Sequence, residues 1–301
     1  MSDIQNFDDI RPMNSDNESE TKNKVLGGTL YLVATPIGNL ADMSARALKV
    51  LSQVDFIAAE DTRNSNKLLS FFGISKPMVS YFEHNKSQRG EYILSRLKQG
   101  ESCALITDAG TPAISDPGED IVRLCADNGI KVSVIPGCSA CVSALSVSGL
   151  STSRFTFEGF LPVQKNERKA RLSEIEYEKR TMIFYEAPHK LRTTLSDMAE
   201  VFGEDRRIAL CRELTKLNEE VIRLTLGGAI AYYEQKEPRG EYVLVIEGST
   251  KNNKADNSLS KLSEEEHVQY YEENGLGRMD AIKAAAKDRG ITKSELYKRL
   301  I

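Results

Sequence analysis

The sequence predicts an α/β protein in which two α/β domains enclose a ligand cleft and a small helix-turn-helix follows. Short apolar runs alternate with amphipathic stretches from residue 29 to about residue 149, and the alternation recurs between residues 154 and 248. After a polar stretch, the remaining residues show only helical patterns. Repeated βα units form mainly parallel sheets with helices on both faces, and facing domains of this kind commonly hold a small molecule between them.

Length and composition set the domain organisation. With 301 residues, 40% of them hydrophobic and 28% charged, the chain is an ordinary globular protein that is too long for one typical domain. We predict a disordered acidic tail (1–28), an N-terminal α/β domain (29–150), a C-terminal α/β domain (151–248), a linker (249–262) and a helix-turn-helix (263–301). The tail is assigned as disordered because it is polar and lacks apolar periodicity.

The same composition predicts a cytoplasmic protein that does not associate with membranes. No apolar run approaches the roughly 20 residues of a membrane span, and the N-terminus lacks the layout of a signal peptide. Five cysteines, an odd number on mostly apolar segments, indicate reduced thiols. Cys138 and Cys141 form a C-x-x-C that could be a redox pair, but small apolar neighbours favour a packed helix start. Zinc would need two further ligands that the pattern does not offer, so no metal is predicted.

Elements of the first α/β region follow from the periodicity of apolar residues. Continuous or alternating apolar runs predict strands at 30–34, 55–59, 78–82, 103–106 and 131–135. Amphipathic patterns predict helices at 44–52, 66–72, 88–98 and 119–128, and Pro117 opens the last of these.

Each predicted strand of this region ends in a loop rich in glycine, proline and reactive side chains. The loop after strand 103–106 stands out: Gly110 allows close backbone approach to a ligand, Asp108 is an acceptor, and Thr111 and Ser115 are short donors. Since the carboxyl ends of parallel strands share one edge of an open sheet, the five loops should converge there. The chain is organised around this predicted site.

The second region and the C-terminus are predicted in the same way. Strands are expected at 154–160, 182–186, 207–212, 221–225 and 241–247, with helices at 167–178, 189–201 and 228–235. Beyond the linker, helices are expected at 264–273, 280–287 and 293–300. The last two, with Gly290 between them, have the spacing of a helix-turn-helix. A helical hairpin that holds a dimer together would produce the same pattern.

An ordered set of motifs along residues 28–248 resembles the ribosomal RNA small subunit methyltransferase I family, a branch of the tetrapyrrole methylase fold. The motifs are Y-L-V-A-T-P-I-G-N-L, I-A-A-E-D-T-R, Y-F-E-H-N, D-A-G-T-P-A-I-S-D-P-G, I-P-G-C-S-A, G-F-L-P, F-Y-E-A-P-H-K, R-E-L-T-K and P-R-G-E-Y-V-L-V-I-E-G. The resemblance implies S-adenosylmethionine (SAM) as cofactor. It further implies 2′-O-methylation of a cytidine in the decoding region of 16S ribosomal RNA.

The resemblance also implies where SAM binds, in the cleft between the two domains. The implied contacts are Pro36, Asp108, Ala109, Gly110, Thr111, Ile114, Ser115, Ser139, Ala140, Tyr185, Ala187, Pro238 and Gly240. Three positions differ from the residues that are usual in the family motifs: Cys138 replaces a common proline, Ala187 a common serine and Lys190 a common arginine. Lys190 keeps the charge but loses the bidentate fork, so a phosphate contact there is expected to be weaker or differently aimed.

Methyl transfer to a ribose hydroxyl requires alignment, exclusion of water and a proton acceptor. The candidate catalytic residues are the titratable groups on converging loops, Glu60, Glu83 and His84. Asp61, Arg63 and Asn85 could orient them or bind phosphate. Glu60 paired with Arg63, or His84 bonded only to its own loop, would be structural alternatives.

Basic residues indicate a phosphate-rich partner. The resemblance implies that this partner is the 16S ribosomal RNA or the small ribosomal subunit. Residues 275–301 hold seven bases and three acids in a chain of net charge −4. The candidate RNA-binding residues are Arg63, Lys165, Arg168, Lys169, Lys190, Lys293, Lys298 and Arg299. A homodimer is also expected.

Two other functions fit parts of the pattern. The chain could be a methylase of the same fold that acts on a small molecule such as a tetrapyrrole, although the linker and the basic C-terminal hairpin favour RNA. It could also be a non-enzymatic nucleic-acid-binding regulator that senses SAM, although the convergence of polar loops favours an enzyme.

Overall fold

The computed structural model describes residues 24–250 and 262–300. Most of the predicted acidic tail and of the predicted linker lies outside the described residues, and so does Ile301. Within the described residues the chain forms two five-stranded sheets followed by three helices.

The first sheet is parallel throughout, with the strand order β3-β2-β4-β1-β5. Its strands are β1 (Thr29–Val33), β2 (Phe56–Ala59), β3 (Met78–Ser80), β4 (Cys103–Ile106) and β5 (Lys131–Ile135). All four residues of the central strand β4 are buried, which explains why it is a continuous apolar run rather than an alternating one. The predicted parallel sheet is confirmed.

Helices cover both faces of this sheet, as predicted from the βα repeats. The helices are α1 (Ala45–Gln53), α2 (Thr62–Phe71), α3 (Lys86–Lys98) and α4 (Gly118–Asp127). Val50 of α1 and Leu69 of α2 belong to the core of one face. Ile93 of α3 and Ile121 of α4 belong to the core of the other.

The second sheet is mixed and has the order β6-β7-β10-β8-β9. Its strands are β6 (Phe155–Phe160), β7 (Thr181–Glu186), β8 (Arg207–Arg212), β9 (Glu220–Thr225) and β10 (Tyr242–Ile246). Only β6 and β7 pair in parallel, and the other neighbours are antiparallel. The helices α6 (Lys165–Glu174), α7 (Leu191–Phe202) and α8 (Leu226–Gln235) pack on one face.

A single helix, α5 (Ala140–Ser148), covers the other face of the second sheet although it directly follows the last strand of the first. Cys141, Ala144 and Leu145 of α5 are buried in one core with residues of β7, β8 and β10. Ile37, in the loop after β1, packs against the same core. The carboxyl-edge loops of the first sheet therefore face the second sheet.

The C-terminal helices are α9 (Glu264–Glu273), α10 (Arg278–Asp288) and α11 (Lys293–Arg299). They share a small core that includes Val268, Ile282 and Leu296. Two capping boxes fix helix starts, with Ser263 at α9 and Thr292 at α11. The predicted helix, glycine turn and helix are present, preceded by a third helix that packs on them.

Some element boundaries differ from the predicted ones for local reasons. The helix predicted at 66–72 begins at Thr62, because the side chain of Asp61 accepts a hydrogen bond from the Arg63 N–H and caps it. The strand predicted to reach residue 82 ends at Ser80, since Asn85 bonds both to the Ser80 carbonyl and to the Phe82 N–H and bends the chain.

Candidate active site

The loops after β1 and β4 are joined at the carboxyl edge of the first sheet. Thr35 and Gly110 exchange backbone hydrogen bonds of 2.9 and 3.0 Å. The Thr35 hydroxyl also donates to the carbonyl of Thr107, at 3.1 Å. These neighbouring loops therefore form one rigid unit, as the strand order requires.

Two carboxylates meet at this edge. The Thr107 hydroxyl donates to Oε2 of Glu60 at 2.9 Å, and Nδ2 of Asn64 donates to Oδ2 of Asp108 at 3.2 Å. A cavity of about 190 Å³ opens beside them. It is lined by Pro36, Gly38, Leu40, Asn64, Ser65, Leu68, Thr107 and Asp108. The structure thus brings together the candidates Pro36, Glu60 and Asp108.

Asp61, next to Glu60, is bound by Arg63. The guanidinium donates to both carboxylate oxygens, and this interaction lowers the pKa of Asp61 to about 2. The alternative in which Glu60 pairs with Arg63 is not what the structure shows. Glu60 keeps the Thr107 hydroxyl as its partner.

The loop that follows Asp108 has an unusual backbone. Gly110 has φ +85°, and Ala113 and Ser115 also have positive φ, at 68° and 66°. Asp116 holds the loop together by accepting from the N–H groups of Ala113 and Gly118. Positive φ at residues with a side chain is strained, and such strain persists where the surrounding structure enforces it, often at binding sites.

The opposite wall is a loop that the sequence analysis did not assign to the site, residues 213–216. Glu213 and Thr215 also have positive φ, at 51° and 66°. Lys216 Nζ lies 2.9 Å from Oε1 of Glu213 and 2.7 Å from Oε2 of Glu241. The Thr215 hydroxyl is buried without a hydrogen-bond partner among the described residues. The R-E-L-T-K motif could have pointed to this loop, but the residue types in it do not predict the positive φ of Glu213 and Thr215.

These two walls touch at Gly38, in the loop after β1. A Cβ at Gly38 would lie 2.4 Å from Cγ of Lys216 and 2.9 Å from the Thr215 hydroxyl oxygen. Only glycine allows this approach. The contact brings the first region to within van der Waals distance of the 213–216 loop.

The remaining cofactor candidates of the second region lie around the same loop. Tyr242, at the start of β10, pairs with Glu186 on one side and Arg212 on the other, so the ends of β7 and β8 flank it. Tyr185 and Ala187 therefore lie beside the segment of Pro238 and Gly240. A Cβ at Gly240, which has φ +77°, would lie 2.6 Å from Cγ of Glu213.

Ser139 and Ala140 begin α5, next to the strained loop. The Thr111 hydroxyl donates to the carbonyl of Cys138 at 2.8 Å, which connects the two segments. Cys141 is buried in the core against the second sheet, and partial burial raises the pKa of the Cys138 thiol. A raised thiol pKa is the opposite of a reactive dithiol, so these contacts agree with a packed helix start.

Two catalytic candidates lie apart from this cluster. Glu83 and His84 are exposed in the loop after β3, which is an edge strand. Glu83 pairs with Lys86 at 2.6 Å, and Lys86 also pairs with Asp120 at 2.8 Å. Of the three catalytic candidates, Glu60 alone contacts the carboxyl-edge unit described above.

The structure corrects one RNA-binding candidate. Arg168 is 8% exposed, and its guanidinium binds Asp197 and the carbonyls of Pro162 and Val163. It is committed to internal contacts and is not available to an RNA phosphate. The charge run 165–171 gave no sign that one of its members points inward.

The other basic candidates lie on several surfaces. Lys169 pairs with Glu200 at 2.7 Å, and Arg299 pairs with Glu264 at 3.0 Å. Lys165 and Lys298 are exposed, and Lys190 and Lys293 are half-buried. Arg63 is highly exposed even though it binds Asp61.

Among residues 24–250 and 262–300, no helix is long and apolar enough to cross a bilayer.

Solved structures of low sequence identity share the fold. The cobalamin biosynthetic enzyme cobalt precorrin-4 methyltransferase superposes with a TM-score of 0.55 at 16% identity, covering 73% of this chain and 95% of that one. Uroporphyrin III C-methyltransferase from Thermus thermophilus gives 0.53 at 14% identity, covering 73% and 97%. At these identities the similarity concerns the fold alone.

Sequence comparisons are much closer. The tetrapyrrole (corrin/porphyrin) methylase family model matches residues 29–230. Ribosomal RNA small subunit methyltransferase I of Bacillus subtilis is 48% identical over 273 residues, covering 90% of this chain and 93% of that protein. Its counterpart from Synechocystis is 45% identical over 270 residues, covering 90% and 96%. The chain therefore belongs to the SAM-dependent tetrapyrrole methylase family and, within it, to the ribosomal RNA small subunit methyltransferase I family.

Proposed function

We propose that the chain methylates the ribose 2′-hydroxyl of a cytidine in the decoding region of 16S ribosomal RNA. The names of its relatives support small-subunit ribosomal RNA as the substrate. The choice of the ribose 2′-oxygen of a cytidine as the methyl acceptor rests on the motif resemblance. The observation that carries the proposal is the Glu60 carboxylate, which accepts a hydrogen bond from Thr107, a residue that lines the carboxyl-edge cavity together with Asp108.

The residues at this edge fit SAM. Asp108 offers a carboxylate to ammonium or ribose hydroxyl groups, and Gly110, which has no side chain, leaves room for a ligand to approach the loop. The buried Thr215 hydroxyl without a partner is a donor on the facing wall. The proposed SAM contacts are the thirteen residues implied by the resemblance. When bound, SAM supplies an electrophilic methyl carbon and its own leaving group, so the protein has mainly to position and to accept a proton.

Glu60 is the proposed acceptor of the 2′-hydroxyl proton. The Thr107 hydroxyl donates to one oxygen of its carboxylate and leaves the other oxygen for the substrate. Glu83 and His84, exposed in the loop after β3, are the alternative proton acceptors. Either would replace Glu60 as the base if the loop after β3 moved toward the cavity.

RNA is proposed to reach the site along basic residues on several surfaces. Arg63 lies beside the cavity, Lys165 and Lys169 begin α6, and Lys190 follows β7. Lys293, Lys298 and Arg299 lie on α11. The partner is the 16S ribosomal RNA or the assembled small subunit. A homodimer and a cytoplasmic location complete the proposal.

The test is methyl transfer from labelled SAM to small subunits that lack the modification, followed by mass spectrometry of the digested nucleosides. We expect 2′-O-methylcytidine as the product. Methylation of a cytosine base would show that the ribose 2′-oxygen is not the methyl acceptor. Transfer only to a tetrapyrrole would favour the small-molecule methylase. SAM binding without turnover on either substrate would favour the regulator.

A further inference from the structure

An aromatic side chain stands exposed beside the candidate site. Phe160, the last residue of β6, is 59% exposed, although the ring of Tyr185 contacts it. Tyr185 lies with its ring centroid 5.5 Å from that of Phe160 and 4.9 Å from that of Phe157. Burying a phenylalanine side chain is energetically favourable, so an exposed ring at this position indicates a binding role.

A β-bulge directs Phe160 to this position. Phe157 pairs with Ile183, whereas Gly159 pairs with Phe184 and Phe160 with Tyr185, so the strand contains one extra residue. In a regular strand, residues three apart point to opposite faces. The bulge, with Gly159 at φ +64°, places Phe157 and Phe160 on the same face, one on each side of Tyr185.

The segment that follows the ring is anchored from inside. The buried guanidinium of Arg168 donates to the carbonyls of Pro162 and Val163, at 3.3 and 2.9 Å. It is itself held by Asp197 at 2.7 Å. The exposed ring therefore lies between an internal ion pair and a bulge, which fixes its orientation before anything binds.

The residue before the ring, Gly159, approaches the strained loop that carries the cofactor candidates. A Cβ at Gly159 would lie 3.5 Å from the hydroxyl oxygen of Ser115. Ile114, its neighbour in that loop, is 46% exposed. The surface around Phe160 is thus next to the place where methyl transfer is proposed, and Lys165, exposed at the start of α6, adds a positive charge nearby in sequence.

We propose that Phe160 is the platform on which a base of the RNA substrate stacks when its ribose enters the site. This inference rests on the proposed function and adds a residue that positions the substrate. An exposed aromatic face held by its neighbours suits a nucleobase, because every base has a π face and unstacked bases are what proteins read in RNA. The Tyr185 hydroxyl, whose pKa burial raises to about 12, stays protonated below the ring.

Kinetics on the full-length chain provide the first test. Stacking on an aromatic side chain contributes about 1–3 kcal/mol per base, so Phe160→Ala should raise KM for the small subunit on the order of 5- to 150-fold. The Kd for SAM should not change. Phe160→Tyr should restore most of the affinity for RNA. Phe155→Ala is the matched control, since Phe155 lies at the other end of β6 and is 42% exposed.

A spectroscopic test identifies the occupant. The chain contains no tryptophan, so Phe160→Trp and Phe155→Trp each introduce a single reporter. We expect RNA to quench the fluorescence of Phe160→Trp and to leave that of Phe155→Trp unchanged. Quenching by SAM alone would show that the ring belongs to the adenine site and overturn the inference.

Failure of the inference differs from failure of the proposed function. If the unaltered chain methylates ribosomal RNA but Phe160→Ala keeps the wild-type KM, stacking is wrong and the proposed function stands. If the unaltered chain transfers no methyl group to ribosomal RNA, the proposed function itself is overturned.

Discussion

Four residues of the candidate site have a strained backbone conformation. Ala113, Ser115, Glu213 and Thr215 are the non-glycine residues with positive φ in the part of the chain that the structure describes, and they lie in two facing loops. Each such residue costs about 1–3 kcal/mol. The sequence does not show this, because alanine, serine, glutamate and threonine give no sign of a left-handed conformation.

The carboxylate of Glu60 is the first side chain to test. Glu60→Gln preserves the size of the side chain and an acceptor for the Thr107 hydroxyl but removes the base. Single-turnover methyl transfer with saturating SAM should slow by about 10²- to 10⁴-fold, the usual contribution of a general base. Calorimetry should find the affinity for SAM nearly unchanged.

Glu83→Gln is the matched control for this change, since Glu83 is exposed and paired with Lys86. A loss of rate in Glu83→Gln or His84→Ala equal to that in Glu60→Gln would assign the proton acceptor to the loop after β3. A full rate in Glu60→Gln would exclude Glu60 from catalysis.

Helices and strands were predicted well where a single apolar pattern determines them. They were predicted less well where helix caps or tertiary contacts determine their boundaries or packing. Strand β4 lies where the pattern placed it, because burial on both faces of the sheet dictates a continuous apolar run. The bulge at Gly159 was not predicted, because an extra residue in a strand depends on the partner strand. The packing of α5 on the second sheet also depends on residues far away in the sequence.

The contact between the loop after β1 and the 213–216 loop depends on Gly38. Gly38→Ala would push Cβ into Lys216 and the Thr215 hydroxyl, and such overpacking costs about 1–3 kcal/mol. Chemical denaturation should show a loss of unfolding free energy of this size. Gly277→Ala serves as the control, since no atom lies within 4 Å of a Cβ at Gly277. Equal stability of the two variants would show that the contact is not as tight as described.

The same loop should respond to pH through Glu213. Hydrogen bonding from Lys216 holds the pKa of this carboxyl below its usual 4.5. A carboxyl with a depressed folded-state pKa adds stability above its unfolded pKa, and that stability is lost as pH falls through the folded value. Glu213→Gln keeps an acceptor for the Glu241 N–H but loses the charge.

We therefore expect the wild type to melt at a higher temperature than Glu213→Gln near pH 7. The difference should begin to shrink as pH falls below about 4.5, where the unfolded carboxyl takes up a proton, and should disappear as pH falls through the lower pKa of the folded carboxyl. A difference that is the same at pH 7 and at pH 3.5 would show that the Lys216 interaction adds no stability.

At the level of the whole chain, two sheets and a three-helix unit take different parts in the proposed reaction. The family and the cofactor could be assigned from ordered motifs, because those motifs are the loops that meet at the site. Which basic side chains are available to RNA could not be predicted, since tertiary contacts decide which of them form ion pairs within the protein. Arg278 pairs with Glu272, and Arg289 turns inward to His267 and to carbonyls at the start of α9.

These pairings reduce the number of cations that the three-helix unit can offer to RNA. Lys283, Lys287 and Lys298 are exposed, and Lys293 is half-buried at the start of α11. Four phosphate contacts correspond to a slope of about 3 in the plot of log affinity against log salt concentration. Replacing all four lysines with glutamine in the full-length chain should reduce the slope of small-subunit binding by up to that amount and leave the affinity for SAM unchanged.

A truncation after Thr250 tests the same prediction by removing the unit. The cut preserves Ser249, which is buried and whose N–H donates to the carbonyl of Glu178 at 2.6 Å, so the second sheet keeps this contact. The shortened chain should bind SAM as before, bind small subunits more weakly and show the flatter salt slope of the lysine variant. If it binds with unchanged affinity and slope but sediments as a monomer whereas the full chain sediments as a dimer, the helices form a dimer contact instead of an RNA-binding surface.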